Sequence, residues 1–458
     1  MERFFQSPRR VVTLGLMIGS FMGSMEATVV ATAMPTIVRE MGGLSIYGWA
    51  FSIYVLASSA GIPVAGKLSD ILGRRLVYAW SMGLFLVASL LCAFAPSMVW
   101  LIVFRALQGL GAAGLLPLAL VMIGDMFSFE ERARVQAFFS GVWGLSSVLG
   151  PLLGGFLVDR IGWASVFYLN VPFGILSAWF VWHWWEDRHT LAVGKPHIDY
   201  PGAILVTLSA VTLLLGLVDL AVWWGWALIL LSVALAYLLL RVERSSPDPV
   251  LPMPLFRDRL FTISVLHALL VGWTLTGVTA YVPLFVQEVQ KKSATEAGAT
   301  LTPMLLAWVV ASAICARVML RVGYRGPAIG GMVCVVLGSI LMSLLQPNSG
   351  KALLLGSMAV LGAGLGLTVP ALLIAVQMMV ERRSMGAATA TIQFARSIGG
   401  SIGIGVMGAF FSFRLTNAGI AEALQTTFLV AGGVSVLGLV LTILAPKLSA
   451  AEMGQRRS

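Results

Sequence analysis

The sequence predicts an all-α, polytopic membrane protein, and three observations predict it. Of 458 residues, 58% are hydrophobic and only 11% charged, whereas a soluble domain carries about 25% charge. Mean hydropathy is +0.92. Apolar runs of about 20 residues, long enough to cross a bilayer as a helix, recur along the whole chain. The 30 Lys+Arg and 20 Asp+Glu are too few to coat a soluble surface. A soluble enzyme, a disordered chain and a repeat solenoid are thereby excluded. A charge in lipid costs about 2.5–3.5 kcal/mol on insertion scales, so any charge found inside a span is a lead.

Fourteen spans are expected. The first six cover 11–33, 47–66, 76–95, 99–123, 135–157 and 163–185. The basic start (Arg3, Arg9, Arg10) leads into an apolar stretch of full span length without a small-residue cleavage site. It therefore reads as a retained first helix and not as a signal peptide. Two more spans, 200–218 and 222–240, must be divided at the Asp219–Gly225 region. The last six cover 261–286, 298–316, 327–345, 352–378, 386–411 and 424–445. The longest polar breaks, 186–199 and 241–260, bracket the middle pair. The expected organisation is a six-helix bundle (1–187), an inserted pair with its linkers (188–260), a second six-helix bundle (261–446) and a short tail (447–458). Paired bundles of this kind are a transporter layout.

Basic residues set the orientation. With the N-terminus inside, 22 of the 30 Lys and Arg fall on the inner side, 6 on the outer side, and two, Arg105 and Arg396, remain inside spans. Both termini are expected in the cytoplasm, and the net charge of +10 is mostly a topology signal. Spread over many short inner loops, it does not describe a nucleic-acid surface. The three cysteines, Cys92, Cys315 and Cys334, lie in apolar runs and read as small core residues.

Several patterns carry mechanism. The inner loop between spans 2 and 3 reads GKLSDILGRR, Gly66–Arg75. Its Gly66 and Gly73 suit a tight loop and close helix approach. Asp70 is a lone acid beside Lys67, Arg74 and Arg75. Such an acid can meet the free N–H groups and positive dipole end of a helix. Its expected partner is the start of span 13 near Ser384–Ala388, making Asp70 and Arg74 an inner latch. Span 5 carries Gly141, Gly150-Pro151 and Gly154-Gly155. These suit a tight, bent interface, for which span 13 with Gly399, Gly400, Gly403 and Gly405 is the expected counterpart.

The charges inside spans matter most. Glu26 lies about seven residues from the outer end of span 1 and Arg105 about six from that of span 4. At 1.5 Å per residue both lie roughly 10 Å deep, so they can pair. A carboxylate that alternates between an ion pair and a protonated, apolar setting can carry a proton. Arg396, about ten residues into span 13, could attract an anionic substrate or anchor Gln393; a structural or gating role is the favoured reading. Gln108, Gln377 and His267 are further polar candidates. Of the 45 aromatic residues, Trp49, Tyr54, Trp143, Trp273 and Tyr281 are cavity candidates for bulky or cationic compounds. Trp182, Trp184, Trp185, Trp223, Trp224 and Trp226 read as interface belts.

These patterns together resemble the major facilitator superfamily. The Gly66–Arg75 loop matches its G-x-L-x-D-x-x-G-R-R signature. Arg105, Gln108 and Gly109 match R-x-x-Q-G, and Gly141 to Gly155 match the G-x8-G-P-x-x-G-G motif associated with antiporters. MEATVVATAMPTI (Met25–Ile37), FYLNVPFG (Phe167–Gly174) and QFARSIGGSIG (Gln393–Gly403) are similar to the fourteen-span drug:proton antiporters. The resemblance implies alternating access and a coupling role for Glu26. It implies export of small amphipathic compounds, driven by the proton gradient without a cofactor or metal. The implied setting is the plasma (inner) membrane, as a lipid-embedded monomer. The alternative is an importer or facilitator of a specific metabolite, against which the span-5 motif argues. No metalloprotease, nucleophile-elbow or phosphate-loop motif supports a membrane enzyme or ATP drive, and a receptor or scaffold would not need the Glu26–Arg105 pair. The chain departs from the family in two places. RVGYRGP (Arg321–Pro327), the second bundle's counterpart of the inner loop, lacks the acid, and the entry of span 6 reads Trp163-Ala164-Ser165 instead of W-R-W.

Overall fold

The computed structural model describes residues 7–127, 129–185, 200–218, 223–245, 253–381 and 385–447. Every regular element among them is helical. In chain order these are α1 (Pro8–Met41), α2 (Trp49–Leu72), α3 (Arg74–Ala93), α4 (Met98–Met126), α5 (Phe129–Arg160) and α6 (Asn170–Trp184), followed by α7 (Tyr200–Val218) and α8 (Trp223–Ser245). Then come α9 (Arg259–Leu284), α10 (Ala294–Val322), α11 (Arg325–Ser343), α12 (Lys351–Met379) and α13 (Met385–Ile443). Helices dominate because lipid offers backbone groups no partner, and a helix satisfies them internally. Twelve stretches among the described residues are long and apolar enough to span a membrane. The twelfth, within α13, bends at Gly419, where φ is 79° and the helical geometry is interrupted.

The chain divides into two compact units. One holds Met1–Thr207 with Ser293–Gly298; the other holds Leu208–Lys292 and Ala299–Ser458. In the first, α1 packs on α4, α5 and α6, and α4 packs on α2 and α3. Its apolar core includes Leu16, Met22, Tyr78, Met82, Phe85, Leu118 and Met122. In the second, α9 packs along α13, and α11 packs on α12 and α13. The polar breaks expected between spans largely coincide with helix ends. Gly73 (φ 92°) and Gly323 (φ 77°) make the turns before α3 and α11, in backbone that side chains disfavour.

Small residues set how closely these helices approach. A methyl added at Gly399 would overlap the Leu269 carbonyl, and one at Gly272 the Arg396 carbonyl, so α9 and α13 touch backbone to backbone. The glycines of α5 are used differently from expectation. Gly150 meets Thr28 and Met25, and Gly154 meets Thr32 and Val29, all on α1. The glycine faces of α5 and α13 are thus occupied by partners within their own units. Gly141 and Gly66 have open space around them, and Gly66 sits inside α2 instead of in a loop. Trp182, Trp223, Trp224 and Trp226 are exposed, as a belt position requires. The belt reading fails for Trp185, which is buried with the core of the first unit, with Trp184 packed beside it. At the end of the α9–α13 unit, burial pushes the Tyr324 hydroxyl up to about 12. It therefore stays protonated and donates to the Pro446 carbonyl.

A test of this packing is a pair of alanine substitutions in α13. Gly399→Ala forces overlap with α9 and is expected to cost about 1–3 kcal/mol. Gly433→Ala enters open space and is expected to gain up to about 1 kcal/mol of helix propensity. Thermal unfolding in detergent should fall for the first and hold or rise for the second.

Candidate functional site

Within the first unit, five helices converge on one buried polar cluster. Glu26 comes from the middle of α1 and Arg105 from α4, each 1% exposed. The Arg105 Nη1 donates to Glu26 Oε1 at 2.5 Å and to Gln108 Oε1 at 2.7 Å. Its Nε donates to the Ala50 carbonyl of α2 at 3.1 Å. The guanidinium lies 4.2 Å from the Tyr54 ring centroid, a cation–π contact. The second carboxylate oxygen, Glu26 Oε2, accepts from Asn170 Nδ2 of α6 at 2.7 Å. Ser89 Oγ of α3 accepts from Asn170 at 2.9 Å and from Gln108 Nε2 at 3.3 Å, and donates to the Phe167 carbonyl at 3.0 Å.

The depth reading thus places Glu26 and Arg105 together. It did not find Asn170 and Ser89. Asn170 stands in the quoted FYLNVPFG segment, but only a polar group opposite the acid would have singled it out. The structure also moves Gln108 out of the cavity candidates. It is fully buried and held at both ends of its amide by Arg105 and Ser89. Tyr54 faces Arg105 and is 8% exposed. Tyr281 is fully buried against the Phe411 ring at 5.7 Å, a core position and not a cavity wall. Trp49 is half-buried and Trp143 is 43% exposed. Trp273 packs on Gly403.

The inner loop is partly rewritten. The side chains of Asp70 and Lys67 lie outside the described residues, as does Ser384, the first residue of the expected latch partner, whose Met385–Ala388 open α13. Arg74 donates its Nε to Asp125 Oδ2 of α4 at 2.6 Å and its Nη1 to Ser69 Oγ at 3.1 Å. Asp125 is the acid that sequence reasoning missed. A charge–dipole contact of the expected kind occurs instead at Asp159, the end of α5. Asp159 Oδ1 accepts from the Ala294 N–H at 3.0 Å, and Oδ2 accepts from the Thr295 N–H at 2.8 Å and from Thr295 Oγ1 at 2.5 Å. These N–H groups open α10 and have no acceptor within their own helix. Close by, a methyl at Gly155 would overlap the Ala294 carbonyl, and one at Gly298 the Pro151 carbonyl. Asp159 and the glycines of α5 thus fix one short segment, Ser293–Gly298.

In the second unit, His267 Nε2 pairs with Thr368 Oγ1 at 2.9 Å. Gln377 Nε2 donates to Thr389 Oγ1 at 3.0 Å. Arg325 Nη2 donates to the Ile443 carbonyl at 2.6 Å, tying the start of α11 to the end of α13. Arg396 and Gln393 line a common cavity but make no hydrogen bond to each other among the described residues, so the anchoring reading of Arg396 fails. No group of three or more His, Cys, Asp or Glu suited to a metal occurs among the described residues.

The polar cluster makes a stability prediction. Removing one partner of a buried ion pair leaves the other uncompensated, at a cost of about 3–5 kcal/mol. Glu26→Leu and Arg105→Met should each lower the unfolding temperature markedly, and the double variant should recover more than half of either loss. Additive losses would show that the two side chains do not act as a pair.

Comparison with known proteins gives the family. Residues 16–404 match the profile of the Major Facilitator Superfamily. The chain is 37% identical over 419 residues to the multidrug transporter protein MdtP of Bacillus subtilis, covering 90% of this chain and 77% of that protein. It is 36% identical to multidrug resistance protein 3 of the same organism, covering 90% and 81%. Among solved structures, it superposes on a bacterial homologue of the lysosomal transporter Spinster with a TM-score of 0.71 at 15% identity, covering 99% of both chains. On the nucleoside transporter NupG the TM-score is 0.69 at 16% identity, covering 95% of this chain and all of that one. The likeness to solved structures is one of fold alone, but the sequence match spans most of the chain, and this chain belongs to the Major Facilitator Superfamily.

Proposed function

We propose that this protein exports amphipathic drugs or similar small organic compounds from the cytoplasm, exchanging them for protons by alternating access. The observation that carries the reading is the buried carboxylate of Glu26, held on one oxygen by Arg105 and on the other by Asn170. The multidrug transporters to which the chain is 36–37% identical support the substrate class.

The proposed coupling follows from charge balance. While Glu26 is ionised, Arg105 is neutralised and the cluster is closed. A proton on Glu26 removes the negative charge. Arg105 then keeps only neutral acceptors, the Ala50 carbonyl and Gln108, with the Tyr54 ring. A guanidinium without its counter-ion is costly in a low-dielectric interior. Protonation is therefore tied to rearrangement of α1 against α4, the motion that opens or closes a substrate path. Deprotonation restores the pair. No cofactor is required, since the proton gradient supplies the work. Asp70 and Arg74 are assigned to the inner gate.

The same proposal carries the topology. It has fourteen spans, with α13 counted as two on either side of Gly419 and α7 and α8 as the inserted pair. The six-helix bundles occupy 1–187 and 261–446. The protein acts as a monomer in the plasma membrane with both termini in the cytoplasm.

Drug uptake into inverted vesicles tests the coupling. In Glu26→Gln an imposed proton gradient should drive uptake at least tenfold less than in the wild type, while drug binding to the purified protein persists. Equal gradient-driven uptake in the variant would overturn the assignment of Glu26.

A further inference from the structure

The polar cluster of the first unit contains one group able to change from donor to acceptor beside the Glu26 carboxylate. Among the described residues, Glu26 is hydrogen-bonded by Arg105 Nη1 on Oε1 at 2.5 Å and by Asn170 Nδ2 on Oε2 at 2.7 Å. Both partners donate, as an ionised carboxylate requires. A protonated carboxyl is itself a donor, so on either oxygen its new O–H points at an N–H. The two oxygens differ in the remedy. A guanidinium has no acceptor in any orientation, so Oε1 can hold a proton only if Arg105 leaves. An asparagine amide turned by half a revolution presents Oδ1 where Nδ2 was. Oε2 is therefore the oxygen that can take a proton and keep its partner.

The surroundings of Asn170 fit that turn. Its Nδ2 also donates to Ser89 Oγ at 2.9 Å, and the Ser89 hydroxyl donates to the Phe167 carbonyl at 3.0 Å. A serine hydroxyl has one proton and rotates to suit its partners. Once the amide has turned, Ser89 can swing that proton from Phe167 to Asn170 Oδ1 while still accepting from Gln108 Nε2. Oδ1 has two lone pairs, one for Glu26 and one for Ser89. Glu26 is 1% exposed, Ser89 0% and Asn170 2%, so the exchange of partners is made inside the protein. The titratable groups around the carboxylate are Arg105 of α4, Tyr54 of α2 and Cys92 of α3. The adjoining stretches of α5 and α6, residues 137–158 and 170–182, hold none. Tyr168, just before α6, is exposed and packs on Phe94.

We propose that Asn170 is a proton-reading switch: when Glu26 Oε2 takes up a proton, the amide turns from donating to accepting, and Ser89 moves its hydrogen bond from the Phe167 carbonyl to Asn170. One O–H bond forms, with a proton from the aqueous side, and the cluster gains one positive charge. All other changes are of hydrogen bonds. The proposal rests on the reading of Glu26 as the proton carrier and gives that reading a direction. Helix α1 keeps its link to α6 through Asn170 while its ionic link to α4 through Arg105 is lost. The Phe167 carbonyl, in the one-turn helix Ser165–Tyr168 that leads into α6, loses its side-chain donor. The state of the proton thus reaches the entry of α6. Asn170 is a positioning residue: it decides on which oxygen the proton rests and with which helix α1 stays.

Infrared difference spectra between alkaline and acid pH test the switch on the purified protein in phosphatidylcholine nanodiscs. Asparagine carries carbon-13 at its side-chain carbonyl; the sequence holds three, Asn170, Asn348 and Asn417. Acidifying the wild type should produce a carboxyl C=O band that is lost in Glu26→Gln. It should also produce an asparagine carbonyl band pair that moves with the label and is lost in the same variant. In Asn170→Leu the carboxyl band should shift to the higher frequency of a carboxyl without an acceptor. Asn170→Ser, whose hydroxyl both donates and accepts, should bring it part of the way back. A Glu26 band without a label-sensitive asparagine pair in the wild type, or at an unchanged frequency in Asn170→Leu, overturns the switch and leaves Glu26 as the proton carrier. A wild type with no Glu26 band across the pH range in which it stays folded overturns the carrier reading, and the switch with it. If Asn170→Leu does not fold, the labelled wild type decides.

Discussion

A charge cannot be left unanswered inside a membrane protein, and the arrangement of the first unit follows from that constraint. Arg105 is the largest of its fully buried side chains. Its charge, its donors and its flat face each require a partner. Glu26 supplies the counter-ion, Ala50 and Gln108 the acceptors, and Tyr54 the ring. Meeting these demands draws α1, α2 and α4 together, and Asn170 and Ser89 extend the requirement to α6 and α3. An apolar helix bundle gains little from the hydrophobic effect in lipid, since lipid tails are as apolar as leucine. The polar cluster therefore does more to specify which faces meet than its few residues suggest.

The second unit reaches close packing by another route. Along α9 and α13, Gly272, Gly399 and Gly403 lie where any side chain would collide with the opposite helix. Van der Waals contact replaces charge as the source of specificity. The bend at Gly419 follows from the same freedom of glycine, used for direction instead of proximity.

Much of this was legible in the sequence because lipid makes charge informative. Glu26 and Arg105 stood out as charges inside apolar runs, and helical rise sufficed to place them at one depth. Glycine spacing announced close contacts but not their partners. A glycine face is complementary to any flat helix surface, so Gly150 and Gly154 met α1 where span 13 had been expected. Asn170, Ser89 and Asp125 were hidden for a related reason. Uncharged polar residues are common in spans, and a loop acid beside a loop arginine has many candidates. Only the fold chooses among them. The same holds for Gln108 and Tyr281, whose types suit a cavity wall but whose positions are interior.

The two intramembrane arginines bring these points together. Each arose from the same scarcity of charge, and each carries five donors. In Arg105 three of those donors meet a carboxylate, a carbonyl and an amide from the chain itself, and the side chain is sealed from solvent. In Arg396 the chain fixes the backbone with a glycine contact, but among the described residues the guanidinium makes no hydrogen bond, although Gln393 and Ser264 line the same small cavity. Evolutionary tolerance of an arginine in an apolar span is low, because its desolvation must be offset by something. Where the protein provides the offset, the charge is a structural and switching element. Where it provides only the position, as at Arg396, the guanidinium faces apolar side chains with Ser264, His267 and Gln393 around a space of about 20 Å³, and its cost is met by packing and not by a counter-ion of the described chain.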